Sequence, residues 1–131
     1  MKDETKKWLE YADENLRSAK VLLDSELFNP CLQNVQQAVE KMLKALLVES
    51  AKKFKKTHSI NELASILAEN GLNVDITEDE CDLLDSIYLP SKYPLGGILP
   101  DFEPDLQICR KCVALAERVR DSVASLMSQN S

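Results

Sequence analysis

Proline and glycine are scarce in this chain, and most of the prolines lie in one short segment. The 131 residues include 5 prolines and 3 glycines, and four of the prolines fall between residues 90 and 104. Because proline interrupts helices and glycine weakens them, the rest of the chain keeps long stretches in which helices can form. No alternating strand pattern competes with them. The sequence therefore predicts an all-α fold.

Apolar residues recur at intervals of three and four residues, which is the pattern of one buried helix face. The first predicted helix covers approximately residues 3–25, and the second begins at Pro30 after the N-cap Asn29 and covers residues 30–53. A third helix opens within residues 57–63, a fourth begins near Thr77, and the last covers approximately residues 104–127. These segments predict one domain, residues 1–131, that folds as an antiparallel up-and-down bundle of four to five helices.

Local signals mark the ends of the shorter helices. Ser59 with Glu62 and Thr77 with Glu80 have the spacing of capping boxes, and Gly71 is a helix stop. Residues 88–105, rich in proline and glycine, are predicted to be irregular. A loop of that length in a small protein is usually functional or a partner surface.

The second helix carries a polar line at the margin of its apolar face. With about 100° per residue, its apolar side chains fill an arc of roughly 140°. Gln36 falls inside that arc, Glu40 at its edge and Lys44 one step further out. A buried amide without a partner costs about 1–3 kcal/mol. We therefore expect the line to bond a neighbouring helix, or else to face a polar cleft or a subunit interface.

The net charge and the absence of long apolar segments restrict the partners that the chain can have. The net charge is −6 and the isoelectric point about 4.8, which argues against a general nucleic-acid coat but allows a local basic patch. No run of 18 apolar residues predicts a membrane span, and residues 1–16 lack the apolar core of a signal peptide. The sequence predicts a cytoplasmic protein that does not bind membranes.

Cys109 and Cys112 form a C-x-x-C, the spacing of some redox and zinc sites. Both belong to the apolar pattern of the last helix, and no second such pair follows. Cytoplasmic thiols are reduced by default, so we interpret these cysteines, with Cys31 and Cys81, as buried structural thiols. No metal and no other cofactor is predicted, although a metal site is the alternative for the C-x-x-C.

The order of these elements resembles the HEPN domain family. The resemblance rests on the W…A…L..A pattern of residues 8–19, on QQAVEKMLKALL at residues 36–47, on Thr57-His58 followed by Leu63, and on Tyr93-Pro94. It spans approximately residues 8–126, and it implies a bundle of four or five helices that forms a homodimer. It also implies a role related to nucleotides or RNA, often beside a small nucleotidyltransferase in a two-component system of toxin–antitoxin type.

Some members of this family are metal-independent ribonucleases in which four to six residues separate an arginine from a following histidine. The single histidine here is His58, and the corresponding positions hold Ala51, Lys52 and Lys53. Lysine also stands at position 92, where the family often has arginine, and lysine lacks arginine's bidentate fork. The resemblance therefore implies a non-catalytic role, with a ribonuclease that uses His58 and Lys92 as one alternative.

Seven residues are the candidates for nucleotide binding or for an interface. They are Gln36, Glu40, Lys41, Lys44, His58, Lys92 and Tyr93. A lysine can hold a phosphate and a tyrosine can stack on a base, but Lys92 and Tyr93 can equally be a solvated cation and a loop anchor. His58 either contacts a ligand or bonds a neighbouring helix. A further alternative is a helical interaction module, which an exposed patch of Leu95, Ile98 and Leu99 would favour.

Overall fold

The computed structural model describes residues 1–53, 56–92 and 103–129, and in these ranges the regular structure is entirely helical. The helices are α1 (Asp3–Asp24), α2 (Phe28–Glu49), α3 (Ile60–Glu69), α4 (Glu78–Lys92) and α5 (Leu106–Gln129). The predicted all-α bundle, with long first, second and last helices and two shorter ones between them, is confirmed.

Helix α2 is the centre of the bundle and packs against each of the other four helices. Its side chains are buried on nearly every face, from Cys31 to Leu47. A helix that is buried over most of its surface is stable only inside a core. Helix α1 and helix α5 cover one part of its surface, while α3 and α4 pack on each other and on the remainder. Polar groups on α2 are consequently enclosed by its neighbours.

The predicted bounds of α2 were wrong by a few residues at each end. The helix begins at Phe28 with Leu27 as its N-cap, so Asn29 is not the cap and Pro30 is the third helical residue. Proline is tolerated there because N–H groups in the first turn have no partner within the helix. The helix ends at Glu49 rather than at residue 53, because the chain turns through a left-handed residue at Ala51, with φ 55°.

The segment predicted to be irregular begins later than its prolines suggest. Helix α4 continues past Pro90 to Lys92, so the prediction was wrong for residues 88–92. A proline removes one backbone hydrogen bond, and in the last turn of a helix that loss affects little further structure. Residues 103–105 are irregular as predicted, and residues 93–102 lie outside the described residues. Helix α5 starts two residues after the predicted Pro104, where Asp105 accepts a hydrogen bond from the Ile108 N–H at 2.8 Å.

Hydrogen bonds and backbone angles confirm the predicted ends of the two shorter helices. The Thr77–Glu80 box is reciprocal, with the Glu80 N–H donating to Thr77 Oγ1 and the Thr77 N–H donating to Glu80 Oε1. Ser59 Oγ accepts from the Glu62 N–H at 3.1 Å. Gly71 ends α3 with φ 78°, a left-handed conformation in which glycine lacks the steric cost of a side chain.

Candidate functional site

The polar line of α2 is buried and internally bonded. Gln36 is 1% exposed, Glu40 7% and Lys44 8%. Gln36 Nε2 donates to Glu40 Oε1 at 3.2 Å, and Lys44 Nζ donates to Glu40 Oε2 at 2.9 Å. The partner of Gln36 is therefore Glu40 on the same helix, and not a neighbouring helix. Glu40 is the acceptor at the centre of this line.

His58, in the connection between α2 and α3, is the third residue that contacts the Glu40 carboxylate. Its Nδ1 lies 3.3 Å from Glu40 Oε1 and 3.2 Å from Oε2. The alternative in which His58 bonds a neighbouring helix is therefore observed. The His58 side chain is 55% exposed, whereas that of Glu40 is 10% exposed. In the described ranges, the hydrogen bonds of the ring use Nδ1, and Nε2 is left for another partner.

The ring of His58 is stacked on the ring of Tyr88. The centroids are 5.1 Å apart and the planes differ by 18°, which is within the range of offset-stacked aromatic pairs. Both rings line a cavity of about 470 Å³, which is completed by Lys56, Thr57, Ser59 and Asp85. The lining residues thus supply two aromatic rings, one cation, one carboxylate and three hydroxyl groups.

Asp85 of α4 binds the start of α3. Its carboxylate accepts from Ser59 Oγ at 2.9 Å, from the Ile60 N–H at 2.6 Å and from the Asn61 N–H at 3.2 Å. A helix N-terminus favours a negative charge because its first N–H groups are unpaired. Here Asp85 and the Ser59 cap already satisfy those donors, so this end of α3 holds an internal carboxylate.

Two lysines of α2 lie against aromatic rings of α1. Lys44 Nζ is 5.6 Å from the centre of the Trp8 ring, and Lys41 Nζ is 5.8 Å from that of Tyr11, distances typical of cation–π contacts. Lys41 also donates to Asn15 Oδ1 at 2.6 Å. Burial lowers the pKa of Lys41, and the nearby Glu40 partly opposes that change.

Four of the seven predicted residues meet in one cluster, namely Gln36, Glu40, Lys44 and His58. Lys41 is adjacent in sequence but contacts α1, away from His58. Lys92 ends α4, and its side chain is outside the described part, as is the whole of Tyr93. The patch proposed at Leu95, Ile98 and Leu99 also falls outside the described residues.

Asp85, Trp8 and Tyr88 belong to this region but were not among the predicted residues. Asp85 and Tyr88 are three residues apart, which places them on one face of a helix. That spacing was available in the sequence, but nothing in it shows that this face meets the residues after His58. Trp8 was identified by the apolar stripe of the first helix and by the family resemblance, and neither indicates its contact with Lys44.

The cysteines are buried and free, as predicted. Burial raises the pKa of Cys109 to about 12 and that of Cys112 to about 11, so both thiols stay protonated and unreactive at neutral pH. Within the described ranges no group of three or more His, Cys, Asp or Glu residues is arranged to hold a metal ion. In the same ranges no helix is long and apolar enough to cross a membrane.

A model of the HEPN domain matches residues 5–126 of the sequence. The chain belongs to the HEPN family. The resemblance noted in the sequence is therefore confirmed. The curated proteins gave no match.

Solved structures give the same fold. The protein TT1696 from Thermus thermophilus is 26% identical, with 95% of this chain and 99% of that chain covered and a TM-score of 0.67. ST0689, an archaeal HEPN homologue, is 21% identical, with 97% and 99% covered and a TM-score of 0.64. A HEPN domain protein from Thermotoga maritima is 21% identical, with 92% and 91% covered and a TM-score of 0.52.

Proposed function

We propose that this HEPN protein binds a nucleotide in the cavity beside His58 and Tyr88 and acts without catalysis. The observation that carries the proposal is the stacked pair of rings at the cavity, with His58 held by the buried Glu40. Aromatic faces bind bases by stacking, which contributes about 1–3 kcal/mol per base. A volume of about 470 Å³ lies within the range of small-molecule pockets.

The phosphates of such a ligand would bind to lysines rather than to the start of α3. The free N–H groups of a helix N-terminus often bind phosphate, but here Asp85 and Ser59 accept from them. Lys56 lines the cavity, and Lys52 and Lys53 are exposed just after α2. These cations supply the local positive charge that an acidic protein needs in order to bind an anion.

Thermal melting with AMP, ATP and GTP tests the proposal. A ligand that binds only the folded state stabilises it, by about 2.7 kcal/mol at a hundred times its dissociation constant. We expect a rise in melting temperature with one of these nucleotides, reduced in Tyr88→Leu and in Lys56→Ala. Lys7→Ala, a change of an exposed lysine on α1, is the matched control and should keep the full shift. If no nucleotide shifts the wild-type protein, the binding proposal is wrong and the interaction-module alternative gains support.

The environment of His58 also supports a second candidate, a ribonuclease. A carboxylate at Nδ1 orients an imidazole and leaves Nε2 free to transfer a proton, and Glu40 is placed in that way. No arginine stands at the spacing of the ribonuclease motif, so Lys92 would have to replace it. Cleavage of single-stranded RNA by the wild-type protein, abolished in His58→Ala, would favour this candidate. RNA left intact by both proteins would exclude it.

We further propose that the chain is a single domain that forms a cytoplasmic homodimer and pairs with a small nucleotidyltransferase in a system of toxin–antitoxin type. Family membership supports this proposal. Light scattering should give twice the mass of 14.7 kDa, and co-purification with the nucleotidyltransferase of a neighbouring gene tests the pairing. A monomer that binds no such enzyme would contradict both parts.

A further inference from the structure

The cavity depends on contacts from α4 at two points of the same face. Tyr88 supplies the ring that stacks on His58, and Asp85, three residues earlier, accepts three hydrogen bonds from residues 59–61. The first of these residues directly follows His58 in the chain. One helix face therefore holds both the ring of Tyr88 and the backbone that carries the ring of His58.

The hydrogen bonds that Asp85 accepts are strong. A carboxylate that accepts from backbone N–H groups makes charge-assisted hydrogen bonds, and the positive end of a helix adds to them. The bond from the Ile60 N–H is 2.6 Å long. By contrast, Asp82, one turn earlier on α4, accepts from the Asn61 side chain and, among the described residues, from no backbone N–H, at an exposed position.

We propose that Asp85 is the positioning residue of the cavity. It fixes the first turn of α3 so that the ring of His58 stays between Glu40 and Tyr88, an arrangement on which the proposed nucleotide binding rests. Glu40 restrains one nitrogen of the ring, but a ring held at Nδ1 alone can still rotate about that bond. Stacking on Tyr88 needs the backbone of residue 58 in place, and Asp85 of α4 binds the backbone N–H groups of the residues that follow.

The single histidine makes this testable, since the imidazole proton signals in the NMR spectrum belong to His58 alone. Protons above the face of an aromatic ring are shifted upfield, so Tyr88→Leu gives the position of the unstacked signals. We expect Asp85→Ala and Asp85→Asn to move the His58 signals toward that position. Asp82→Ala should leave them at the wild-type position, and so should Thr77→Ala, which weakens α4 without touching α3.

Circular dichroism at the same temperature checks that each variant is folded. If Asp85→Ala does not fold, the isosteric Asp85→Asn decides. His58 signals that stay at the wild-type position in a folded Asp85→Asn protein would overturn the proposal, because Asp85 would then only stabilise the bundle. ATP affinity is measured on the same samples and should fall in Asp85→Asn but not in Asp82→Ala. A wild-type protein that does not bind ATP, AMP or GTP would refute the proposed function, while the NMR result would still decide the role of Asp85.

Discussion

Replacing Glu40 with alanine should destabilise the protein more than any other single change on the polar line of α2. The carboxylate accepts from Gln36, Lys44 and His58, so its loss leaves three groups without their acceptor. By contrast, Gln36 is bonded to Glu40, and Lys44 contacts Glu40 and the Trp8 ring. The free-energy cost of the change therefore depends on how well each of the three groups can bind water instead.

The magnitude follows from burial. Gln36 is 1% exposed, and an unpaired buried amide costs about 1–3 kcal/mol. The Lys44 side chain is 10% exposed, and removing one partner of a buried ion pair costs about 3–5 kcal/mol. The Trp8 ring still faces the ammonium and offsets part of that cost, while His58 is exposed enough to bind water. We expect a total of about 3–6 kcal/mol for Glu40→Ala, from these contributions less the offset.

Urea unfolding followed by circular dichroism measures this free energy directly, and the melting temperature should fall by roughly 10–20 °C. The matched control is Gln37→Ala, because Gln37 is exposed on the same helix and surface changes are usually within about 0.5 kcal/mol. If Glu40→Ala and Gln37→Ala unfold at the same urea concentration, the Glu40 carboxylate does not stabilise the core, and the reasoning is wrong.

Three further changes test the rest of the fold. Ala51→Gly should stabilise by about 0.5–1 kcal/mol, because the left-handed conformation at φ 55° costs alanine more than glycine loses in chain entropy; an unchanged melting temperature would contradict this. Thr77→Ala should destabilise by about 1 kcal/mol through loss of the bond to the Glu80 N–H, and no change in urea unfolding would show that the cap is dispensable. Stability should fall as pH rises above about 8.5, where the thiols of the unfolded chain ionise. Burial raises the pKa of Cys109 to about 12 and that of Cys112 to about 11, so the folded chain keeps the protons that the unfolded chain loses. The urea midpoint should therefore be lower at pH 10 than at pH 8, and this difference should be smaller in Cys112→Ala; equal differences would refute the assignment.

The sequence predicts the helices well because their signals are local. Apolar spacing and capping residues act within a few positions, and the Thr77–Glu80 box appears with the hydrogen bonds that its spacing predicts. Two of the errors lie at prolines. Pro30 is in the first turn of α2, where its N–H would have no partner within the helix, and Pro90 is near the end of α4, where the hydrogen bond that it removes affects little further structure. Sequence rules treat proline as a stop, and they cannot tell an end of a helix from its middle.

The candidate site was predicted only in part, since its contacts join separate helices. Periodicity identified Gln36, Glu40 and Lys44 because they share one helix face. It could not assign Glu40 as the partner of His58, because His58 lies 18 residues later in the chain. Asp85 was not predicted for the same reason. Its hydrogen bonds join it to residues about 25 positions away in the chain. Such contacts depend on how the helices pack, and the sequence of one helix does not contain that information.

The buried ion pair of α2 is difficult to explain by stability alone. Replacing a buried pair with apolar side chains of similar volume is often neutral or stabilising, and the surrounding surface of α2 is already apolar. A chain selected only to pack its core could place methionine or leucine at both positions. The Glu40 carboxylate, however, extends from the core to the exposed ring of His58, and an apolar residue could not hold that ring at the cavity. The energetic cost of the pair is therefore better explained by the position it gives to His58 than by the stability of the bundle.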